Sequence, residues 1–356
     1  MPPMTAPDPQ FWSARRVLVT GHTGFKGAWL CLWLASLGAR VAGFGRAPSA
    51  PSLYALARVG EDVEHVEGDV RDGEAVAAAV ARLAPEVVIH MAAQALVRRS
   101  FADPVETYAT NAMGTVHVLD AVRRRGADVR VIVIVSSDKC YENREWVWGY
   151  REDDRLGGHD PYSSSKACAE LVTAAYRSSF FDGEGAAAVA SARAGNVFGG
   201  GDFGEDRLLP DVFRAALAGA AIRVRNPHAV RPWQHVLNPL SGYLRLAERA
   251  WNDRAYATAW NFGPPDDDAR PVRWIVERLA ALWGEPLRWE IDPGPHPHEA
   301  RRLKLDSSLA RARLGWAPTW SLEAGLERTV AWHRAQRDGA DLRAVTLDQL
   351  RGFAAA

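Results

Sequence analysis

The sequence predicts an α/β fold, a doubly wound parallel sheet joined to a smaller, loop-rich C-terminal domain. Short apolar segments alternate with segments of helical periodicity up to about residue 200. The apolar segments carry hydrophobic side chains at consecutive positions, which is typical of parallel strands covered by helices on both faces. After residue 200 the composition changes, and Trp, Pro and His gather in segments such as "VRPWQHV" and "LGWAPTW". These segments predict loops that connect a few helices.

The first half divides into strands and helices in regular alternation. Strands are predicted at 15–21, at 40–45, up to Val70, at 86–93, at 129–137 and at 187–199. Helices are predicted at 28–38, 74–84, 105–126 and 163–181. Helices therefore connect most successive strands, which is the arrangement of a parallel sheet. We expect residues 15–200 to form a Rossmann-like dinucleotide-binding domain.

The second half contains fewer regular elements, and its helices are predicted at 210–219, 239–252 and 272–283. We expect residues 201–340 to form mainly a substrate-binding domain, with a segment at about 233–262 returning to the first domain. Residues 1–14 are expected to be a disordered lead-in because they are rich in proline and polar residues. Residues 341–356 are expected to be a weakly ordered tail because their hydrophobic pattern is weak.

The composition excludes several classes of protein. Of the 356 residues, 43 are basic and 43 are acidic, so the formal net charge is zero and a basic nucleic-acid-binding surface is not expected. No apolar segment approaches the ~20 residues of a membrane span, and the N-terminus lacks the pattern of a signal peptide. The three cysteines have no metal-ligand spacing. We therefore expect a cytoplasmic protein without a metal site.

The segment "TGHTGFKG" predicts a phosphate-binding loop. It places Gly21, Gly24 and Gly27 three residues apart, directly after the first strand and directly before the first helix. Glycines allow a tight turn and a close approach of the backbone to a pyrophosphate, whose charge lies at the helix N-terminus. Residues expected to bind the cofactor here and at the ends of later strands are Gly21, Thr23, Gly24, Phe25, Lys26, Gly27, Asp69, Val70, Ala92 and Ala93.

The second strand lacks the acidic residue that usually binds the adenosine ribose hydroxyls. Its end is "AGFGRAP", and Arg46 stands near the expected position. Because an arginine there can accommodate a 2′-phosphate, these residues leave both NAD and NADP open. Asp69 and Val70, at the end of the third strand, are predicted to hold the adenine, although Asp69 could equally well be a strand-end cap.

Lysine is rare in this chain. Only four of the 43 basic residues are lysines, and three of them, Lys26, Lys139 and Lys166, fall in candidate site motifs. A buried lysine can lose its proton, whereas arginine cannot. Lys139, in "VSSDKCY" at the end of a predicted strand, is therefore a candidate for chemistry. The alternative is an ion pair with Asp138 or Glu142.

Tyr162 and Lys166 form a YxxxK motif at the start of a predicted helix. Together with the glycine loop, and with Ser136 and Ser137 at a strand end, this motif resembles the extended short-chain dehydrogenase/reductase family. Residues four apart share a helix face, and an ammonium beside a phenol favours the phenolate. The resemblance implies that Tyr162 is the acid/base for a substrate hydroxyl. It also implies that Lys166 lowers the pKa of Tyr162 and holds the nicotinamide ribose.

Longer segments resemble one branch of that family. They include "HMAAQALVR", "SSDKCYENREWVWGYRE", "RAGNVFGGGD" and "HPHEARRLKLD", and they extend from about residue 17 to 335. They look like the sugar-nucleotide 4,6-dehydratases, and in particular like the branch that acts on CDP-glucose, where a lysine replaces the glutamate of the usual Thr-Asp-Glu triplet. The resemblance implies a hydro-lyase that dehydrates a nucleotide-diphosphate hexose with NAD, in the biosynthesis of deoxysugars such as those of lipopolysaccharide O-antigen.

The resemblance also assigns residues to roles. The catalytic residues that it implies are Ser137, Asp138, Lys139, Tyr162 and Lys166. Asp138 would be the acid in the elimination of water, and Lys139 would be either the base or a fixed cation. The substrate contacts that it implies are Gln94, Asn196, Arg207 and Arg231, with His298 and Glu299 as weaker candidates.

The same resemblance implies a homodimer formed through a four-helix bundle of helices near 104–125 and 161–181. Two other functions remain open at this point. A sugar-nucleotide C4 epimerase would need the Tyr/Lys pair and the cofactor, but no elimination pair. A non-catalytic regulator that senses a dinucleotide would need neither pair.

Overall fold

The computed structural model describes residues 6–284, 287–292, 294 and 302–356. The strands, in chain order, are β1 (Arg16–Thr20), β2 (Arg40–Gly45), β3 (Glu64–Glu67), β4 (Val87–His90), β5 (Val131–Val135), β6 (Ala188–Ala194), β7 (Val197–Phe198), β8 (Ile222–Val224), β9 (Val230–Pro232), β10 (Gln234–His235), β11 (Ala259–Phe262), β12 (Ala269–Pro271) and β13 (Trp289–Ile291). The α-helices are α1 (Pro9–Trp12), α2 (Phe25–Ser36), α3 (Leu53–Leu56), α4 (Gly73–Leu83), α5 (Val97–Ala102), α6 (Pro104–Tyr108), α7 (Gly114–Arg125), α8 (Pro161–Phe180), α9 (Leu208–Ala218), α10 (Leu237–Asn252), α11 (Val272–Trp283), α12 (Leu322–Arg337) and α13 (Leu342–Ala354).

Seven of these strands form one parallel sheet in the order β11-β6-β5-β4-β1-β2-β3. The chain adds β2 and β3 on one side of β1, and then β4, β5, β6 and β11 on the other. This order confirms the predicted doubly wound α/β fold. The carboxyl ends of β1 and β4 border the crevice where the direction of winding changes, which is where such folds bind ligands.

Helices cover both faces of the sheet. α4, α7 and α8 pack on one face, and α2, α10, α12 and α13 pack on the other. The strand β5, with the sequence "VIVIV", shows why a strand that is covered on both faces needs an apolar residue at every position. Val131 and Val133 belong to the core on one face, and Ile132 and Ile134 to the core on the other, since side chains alternate along a strand.

The helix predicted over 105–126 is interrupted. α6 ends at Tyr108, a π-helical turn covers Ala109–Met113, and α7 follows. Asn111 lies in the wide turn, where its side-chain amide donates to Ser165 Oγ at 2.9 Å and to the carbonyl oxygen of Gln94 at 3.0 Å. π turns occur often at functional sites, and this one links its helix to α8 and to the turn after β4.

The N-terminal segment is more ordered than the sequence indicates. The disordered lead-in predicted at 1–14 is wrong for residues 8–12, where Asp8 caps α1. Trp12 is fully buried, and its Nε1 donates to Glu248 Oε1 at 2.7 Å. Residues 1–5 lie outside the described part of the chain.

The C-terminal segment is also ordered. The weakly ordered tail predicted at 341–356 is wrong, because α13 buries Leu350 and Phe353 against the core. The ring of Phe353 lies 5.4 Å from that of Trp33 and 5.2 Å from that of Trp320, measured between centroids. A hydrophobic face whose partners lie in other segments of the chain leaves only a weak local pattern.

The second half has a smaller hydrophobic cluster of its own, built from α9, α11 and β8. Its remaining segments return to the large sheet. β11 extends the sheet beside β6, α10 covers one face, and Trp316 and Trp332 join the same core. More of the second half than the expected segment at about 233–262 therefore packs on the first half. Within the described residues, no helix has the length and apolar character needed to cross a membrane.

Candidate active site

A cleft of about 1160 Å³ lies at the carboxyl ends of the central strands and extends to loops of the second half. The predicted site residues line this cleft, with one exception. Those that line it are Gly21, Thr23, Gly24, Phe25, Lys26, Gly27, Asp69, Val70, Ala92, Ala93, Ser137, Asp138, Lys139, Tyr162, Lys166, Asn196, Arg207 and Arg231. His298 and Glu299 lie outside the described residues.

The exception is Gln94, which turns away from the cleft. Its side-chain nitrogen donates to Thr107 Oγ1 at 2.9 Å and to the carbonyl oxygen of Leu96 at 3.1 Å, and its Oε1 accepts from the amide of Leu96 at 2.6 Å. These bonds hold the turn after β4 and use the polar atoms of the side chain. Gln94 therefore does not line the cleft in this structure, whereas the neighbouring Ala95 and Leu96 do, and the substrate contact at Gln94 stays a prediction.

The glycine loop has the shape that a pyrophosphate requires. Gly21 has φ of 72°, and a Cβ there would lie 2.7 Å from the backbone of Ala92. A Cβ on Gly27 would lie 2.3 Å from the carbonyl oxygen of Gly21. Gly24 is the N-cap of α2 and offers no side-chain acceptor, so the amides of the first turn remain for an anion. These residues fit the dinucleotide that the sequence predicts.

At the adenosine end of the cleft, charge is supplied by arginines as well as acids. The side chain of Arg46 is 66% exposed, and its nearest carboxylate is Glu106, at 3.9 Å. Asp69 accepts from Arg71 at 2.6 Å, and this hydrogen bond lowers the pKa of Asp69. Asp69 Oδ1 also accepts from the amide of Arg71 at 2.9 Å. Asp69 thus caps its own turn while it lines the cleft.

Tyr162 and Lys166 lie on the first two turns of α8, where the cap fixes their direction. Asp160 caps the helix by accepting from the amide and the hydroxyl of Ser163, at 2.9 and 2.6 Å. Pro161 follows at the first helical position, where its ring is well tolerated. Tyr162 and Lys166 are 8% and 7% exposed. Residues four apart lie on one face of the helix, and this face meets the cleft.

Burial dominates the acid–base properties of this pair. It raises the pKa of Tyr162 to about 12, against the effects of Ser137 and Arg207. It lowers the pKa of Lys166 to about 8, and Glu170 acts in the opposite direction. Desolvation of the phenolate is the largest effect on the pKa of Tyr162, and the lowering of this pKa by Lys166 stays a prediction.

The turn after β5 brings a serine, an aspartate and a lysine to Tyr162. Ser137 caps the single 3₁₀ turn Asp138–Cys140 and donates its proton to Asp138 Oδ1 at 2.9 Å. Asp138 is 2% exposed, and its Oδ2 has no hydrogen-bond partner among the described residues. Burial raises the pKa of Asp138, while Lys139, Ser137 and Arg231 lower it.

Lys139 extends toward the same tyrosine. Its Nζ lies 5.8 Å from the centroid of the Tyr162 ring. Glu142, the alternative ion-pair partner, contacts Arg155 at 3.0 Å and Arg144 at 3.6 Å. Together these contacts place a carboxyl, a lysine and a phenol around one end of the cleft, a set that can move protons at neighbouring atoms of a substrate.

A buried ion pair that the sequence analysis missed supports this end of the cleft. Glu170 Oε2 lies 2.8 Å from Arg193 Nη2 and accepts from Ser191 Oγ at 2.7 Å. The two side chains of the pair are 3% and 4% exposed. Two signals could have found it. Glu170 follows Lys166 by one turn on the same face of α8, and Arg193 is the one charged residue of the strand β6.

Several arginines also line the cleft. Arg207 and Arg231, which act on the pKa values of Tyr162 and Asp138, line it together with three arginines that the sequence analysis did not name, Arg98, Arg223 and Arg225. Arg207 Nη1 contacts both oxygens of Asp202 at 3.1 Å. Asn196 lines the cleft beside them. Guanidinium groups in such numbers suit a diphosphate. Within the described residues, no group of three or more His, Cys, Asp or Glu side chains could hold a metal ion.

Sequence comparisons identify related proteins. Residues 17–261 match the model of the NAD dependent epimerase/dehydratase family. A CDP-glucose 4,6-dehydratase of Salmonella typhimurium is 50% identical over 341 residues, which cover 94% of this chain and 95% of that protein. A dTDP-glucose 4,6-dehydratase of Xanthomonas campestris is 28% identical, over 89% of this chain and 92% of that protein.

Solved structures show the same architecture. The epimerase Mth375 of Methanothermobacter thermautotrophicus superposes with a TM-score of 0.81 at 25% identity, covering 94% of this chain and 96% of that one. A dTDP-glucose 4,6-dehydratase of Streptomyces venezuelae, solved with NAD bound, superposes with a TM-score of 0.77 at 25% identity, covering 92% of this chain and 99% of that one.

Proposed function

The chain belongs to the NAD dependent epimerase/dehydratase family, and from this premise we propose that it is a CDP-glucose 4,6-dehydratase, a hydro-lyase that uses NAD. Its reaction converts CDP-glucose to the 4-keto-6-deoxy sugar nucleotide and water. The relative at 50% identity, which carries this activity in its name, supports the choice of substrate. The product belongs to deoxysugar biosynthesis, in which O-antigen assembly is one destination.

The position of Asp138 beside Tyr162 is the observation that carries the proposal. Asp138 is almost completely buried, its Oδ2 has no hydrogen-bond partner among the described residues, and burial raises its pKa. Burial thus favours the protonated form of this carboxyl, which can give its proton to a leaving group. An enzyme that only oxidises and reduces C4 has no need of this group.

In the oxidation step, Tyr162 accepts the proton of the C4 hydroxyl. Ser137 and Arg207 act against the burial that raises the pKa of Tyr162, and Lys166 provides an ammonium one helical turn away. Arg231, Arg207 and Asn196 hold the diphosphate side of the substrate. The glycine loop, Tyr162 and Lys166 would hold NAD, which would supply the hydride acceptor for C4 and the hydride donor for C6, so that the net redox change of the sugar nucleotide would be zero.

In the elimination step, the C4 ketone makes the C5 proton acidic. Asp138 gives its proton to the C6 oxygen, which leaves as water while C5 loses its proton. Lys139 either accepts the C5 proton in its neutral form, or stabilises the enolate as a cation while the C5 proton passes to a water molecule. After C6 is reduced, C5 regains a proton and the product leaves.

Incubation with CDP-glucose and NAD tests the proposal. We expect the product to have lost one water by mass and to show the ultraviolet absorbance of a 4-keto sugar in base. A product of unchanged mass with inverted C4 would favour a C4 epimerase. Absence of any product with intact dinucleotide binding would point to a regulator. dTDP-glucose and UDP-glucose, offered in parallel, test the choice of base.

Variants separate the two half-reactions. Tyr162→Phe should abolish hydride transfer and leave cofactor affinity almost intact, since only a hydroxyl is removed. Asp138→Asn and Lys139→Met should still oxidise C4 in a single turnover and accumulate reduced nicotinamide. Loss of water should become slower by about 10²–10⁴-fold in both. Elimination at the wild-type rate in both variants would contradict the mechanism.

Lys139→Arg distinguishes the two roles of Lys139. Arginine keeps the charge but cannot become a neutral base. Substantial activity would assign Lys139 as a cation, and near-total loss would assign it as the base, provided that a structure excludes a steric effect.

A homodimer completes the proposal. Apolar side chains are exposed along α6, the π-helical turn and α8: Val105 is 78%, Met113 47%, Leu171 58% and Phe180 52% exposed. Exposed apolar side chains on these helices suit a second copy of the same helices in a four-helix bundle. Sedimentation should give the mass of two chains, and Leu171→Glu should give one.

The three free cysteines support the reducing cytoplasm as the compartment.

A further inference from the structure

Tyr141 directly follows the turn that carries Asp138 and Lys139, and the proposed mechanism gives it no role. It is the C-cap of this 3₁₀ turn, where its backbone amide donates to the carbonyl oxygen of Asp138 at 3.4 Å. Tyr141 is only 1% exposed, although it belongs to the residues that line the cleft. What holds the side chain of Tyr141 therefore also bears on where the turn lies.

The hydroxyl of Tyr141 is held by two side chains at once. It accepts a hydrogen bond from Arg193 Nη1 at 2.7 Å and donates one to Asn261 Oδ1 at 2.8 Å. The side-chain nitrogen of Asn261 donates to the carbonyl oxygens of Tyr150 and Asp306, at 2.8 and 3.2 Å, which leaves Oδ1 as the acceptor. Because both the donor and the acceptor of this buried hydroxyl are fixed, the phenol has little freedom to move.

The same arginine connects this hydroxyl to the helix of the Tyr/Lys pair. Arg193 contacts Tyr141 through Nη1 and Glu170 Oε2 through Nη2, the second at 2.8 Å. Glu170 follows Lys166 by one turn of α8. The donors of a guanidinium form a rigid fork, so the two partners are held at a fixed angle. Three buried side chains thus join the turn after β5 to α8.

The turn after β5 depends on such a contact more than the helix does. It is a single 3₁₀ turn, and its hydrogen bonds have poorer geometry than those of an α-helix. α8 is 20 residues long and is capped by Asp160. Loss of the contact between the two should therefore displace the turn with Asp138 and Lys139, and leave Tyr162 on the helix in place.

We propose that Tyr141 is a positioning residue for the elimination of water. Its hydrogen-bonded hydroxyl fixes the turn so that Asp138 and Lys139 lie within proton-transfer distance of the substituents on C6 and C5 of the sugar. The inference rests on the proposed function. Proton transfer needs heavy atoms within about 2.6–3.2 Å of each other, and a misplacement of about 1 Å can cost about 10²-fold in rate.

Tyr141→Phe tests the proposal with the smallest change. It removes the hydroxyl and keeps the ring, which stacks on Tyr150 with 5.1 Å between centroids. At saturating NAD, we expect single-turnover loss of water from CDP-glucose to slow by about 10–10²-fold, and C4 oxidation, followed as reduced nicotinamide, to stay within about threefold. The ratio of the two rates is decisive, because a loss of folded protein lowers both in proportion. An unchanged ratio would overturn the proposal.

Tyr256→Phe is the matched control. Tyr256 also stacks on an aromatic ring, that of Trp260, and its hydroxyl donates to the carbonyl oxygen of Arg313 at 3.1 Å. It lies between α10 and β11, before the amino end of that strand, whereas the cleft lies at the carboxyl ends. The ratio should stay at the wild-type value. An equal fall in both variants would contradict a specific role for Tyr141.

Arg193→Lys tests whether Tyr141 acts through the arginine. Lysine keeps a charge beside Glu170, but it has no fork that contacts Glu170 and Tyr141 together. It should lower the ratio as Tyr141→Phe does. The double variant should be no lower than the lower single variant, since both substitutions break the same contact. Effects that multiply in the double variant would show independent action and contradict the proposal.

A second readout does not depend on the reaction. Hydrogen exchange by mass spectrometry, in the NAD complex, follows the amide of Cys140, which donates to the carbonyl oxygen of Ser137 at 3.1 Å within the turn. This amide should exchange about tenfold faster in Tyr141→Phe and at the wild-type rate in Tyr256→Phe. If the wild type does not dehydrate CDP-glucose but exchange keeps this order, the proposed function fails and the anchoring of the turn stands. If exchange is unchanged in Tyr141→Phe, the anchoring is absent whatever the activity.

Discussion

Replacing Arg193 with methionine should lower the free energy of unfolding by about 3–5 kcal/mol. Arg193 lies in β6 and contacts Glu170 at 2.8 Å, with both side chains at most 4% exposed. Its Nη1 also donates to the hydroxyl of Tyr141 at 2.7 Å and to the carbonyl oxygen of Glu152 at 2.8 Å. Methionine fills a similar volume but leaves these three acceptors without their donor.

The magnitude follows from what remains in the core. A carboxylate that loses its ion pair with Arg193 stays buried at Glu170, and removing one member of a buried pair typically costs about 3–5 kcal/mol. Replacing both members with apolar residues removes the stranded charge. Glu170→Leu combined with Arg193→Met should therefore recover most of the loss, which a sum of independent contacts would not predict.

Urea denaturation, with the midpoint and slope measured for each variant, provides the assay. Arg82→Met is the matched control, because Arg82 contacts Glu64 at 2.6 Å with both side chains more than half exposed. We expect a loss below about 1 kcal/mol there. Equal losses for Arg193→Met and Arg82→Met would refute the argument from burial.

The pH dependence gives an independent test of the same reasoning. In the wild type, burial raises the pKa of Glu170, but Arg193 and the hydrogen bonds outweigh it and lower this pKa. The stability that this pair contributes is therefore present above the pKa of Glu170 in the unfolded chain. It is lost as pH falls through the pKa of Glu170 in the folded protein. Without Arg193, burial should raise the pKa of Glu170 above its unfolded value. The deficit of the variant should then shrink between about pH 8 and pH 5, and a deficit independent of pH would contradict this.

Three further substitutions test the cofactor loop, the C-terminal helix and the choice of dinucleotide. Gly27→Ala places a Cβ 2.3 Å from a carbonyl oxygen of the loop, so NAD affinity in a titration should fall by about 10²-fold. Gly183→Ala, with open space around the new Cβ, should leave NAD affinity unchanged. Equal effects of the two substitutions would argue against a steric cause. Phe353→Ala removes a ring that is 1% exposed and should cost about 3–5 kcal/mol in urea, whereas a cost below 1 kcal/mol would mean that α13 is peripheral. Arg46→Glu should weaken NADP by about tenfold and leave NAD within about threefold, and equal losses for both would show that Arg46 does not face the 2′ position.

Local sequence patterns were sufficient to predict much of the sheet and half of the site. The strand "VIVIV" is apolar at each position because both of its faces are covered, and this is visible within five residues. The glycines of the phosphate loop and the spacing of Tyr162 and Lys166 express backbone geometry over one or two turns. Such features depend on neighbours in the chain, so the fold class, the cofactor loop and the Tyr/Lys pair could be predicted from the sequence alone.

Side-chain environment was decided by the tertiary structure alone. Gln94 follows a strand end as the site residues do, yet its hydrogen bonds point it into a turn. Tyr243 accepts a hydrogen bond from Lys26, although 217 residues separate the two in the chain. Arg193 of β6 pairs with Glu170 of α8. Desolvation raises the pKa of Tyr162 and Asp138 only once the surrounding elements exclude water. These properties depend on which distant segments the winding of the sheet brings into contact, and no pattern of neighbouring residues contains that information.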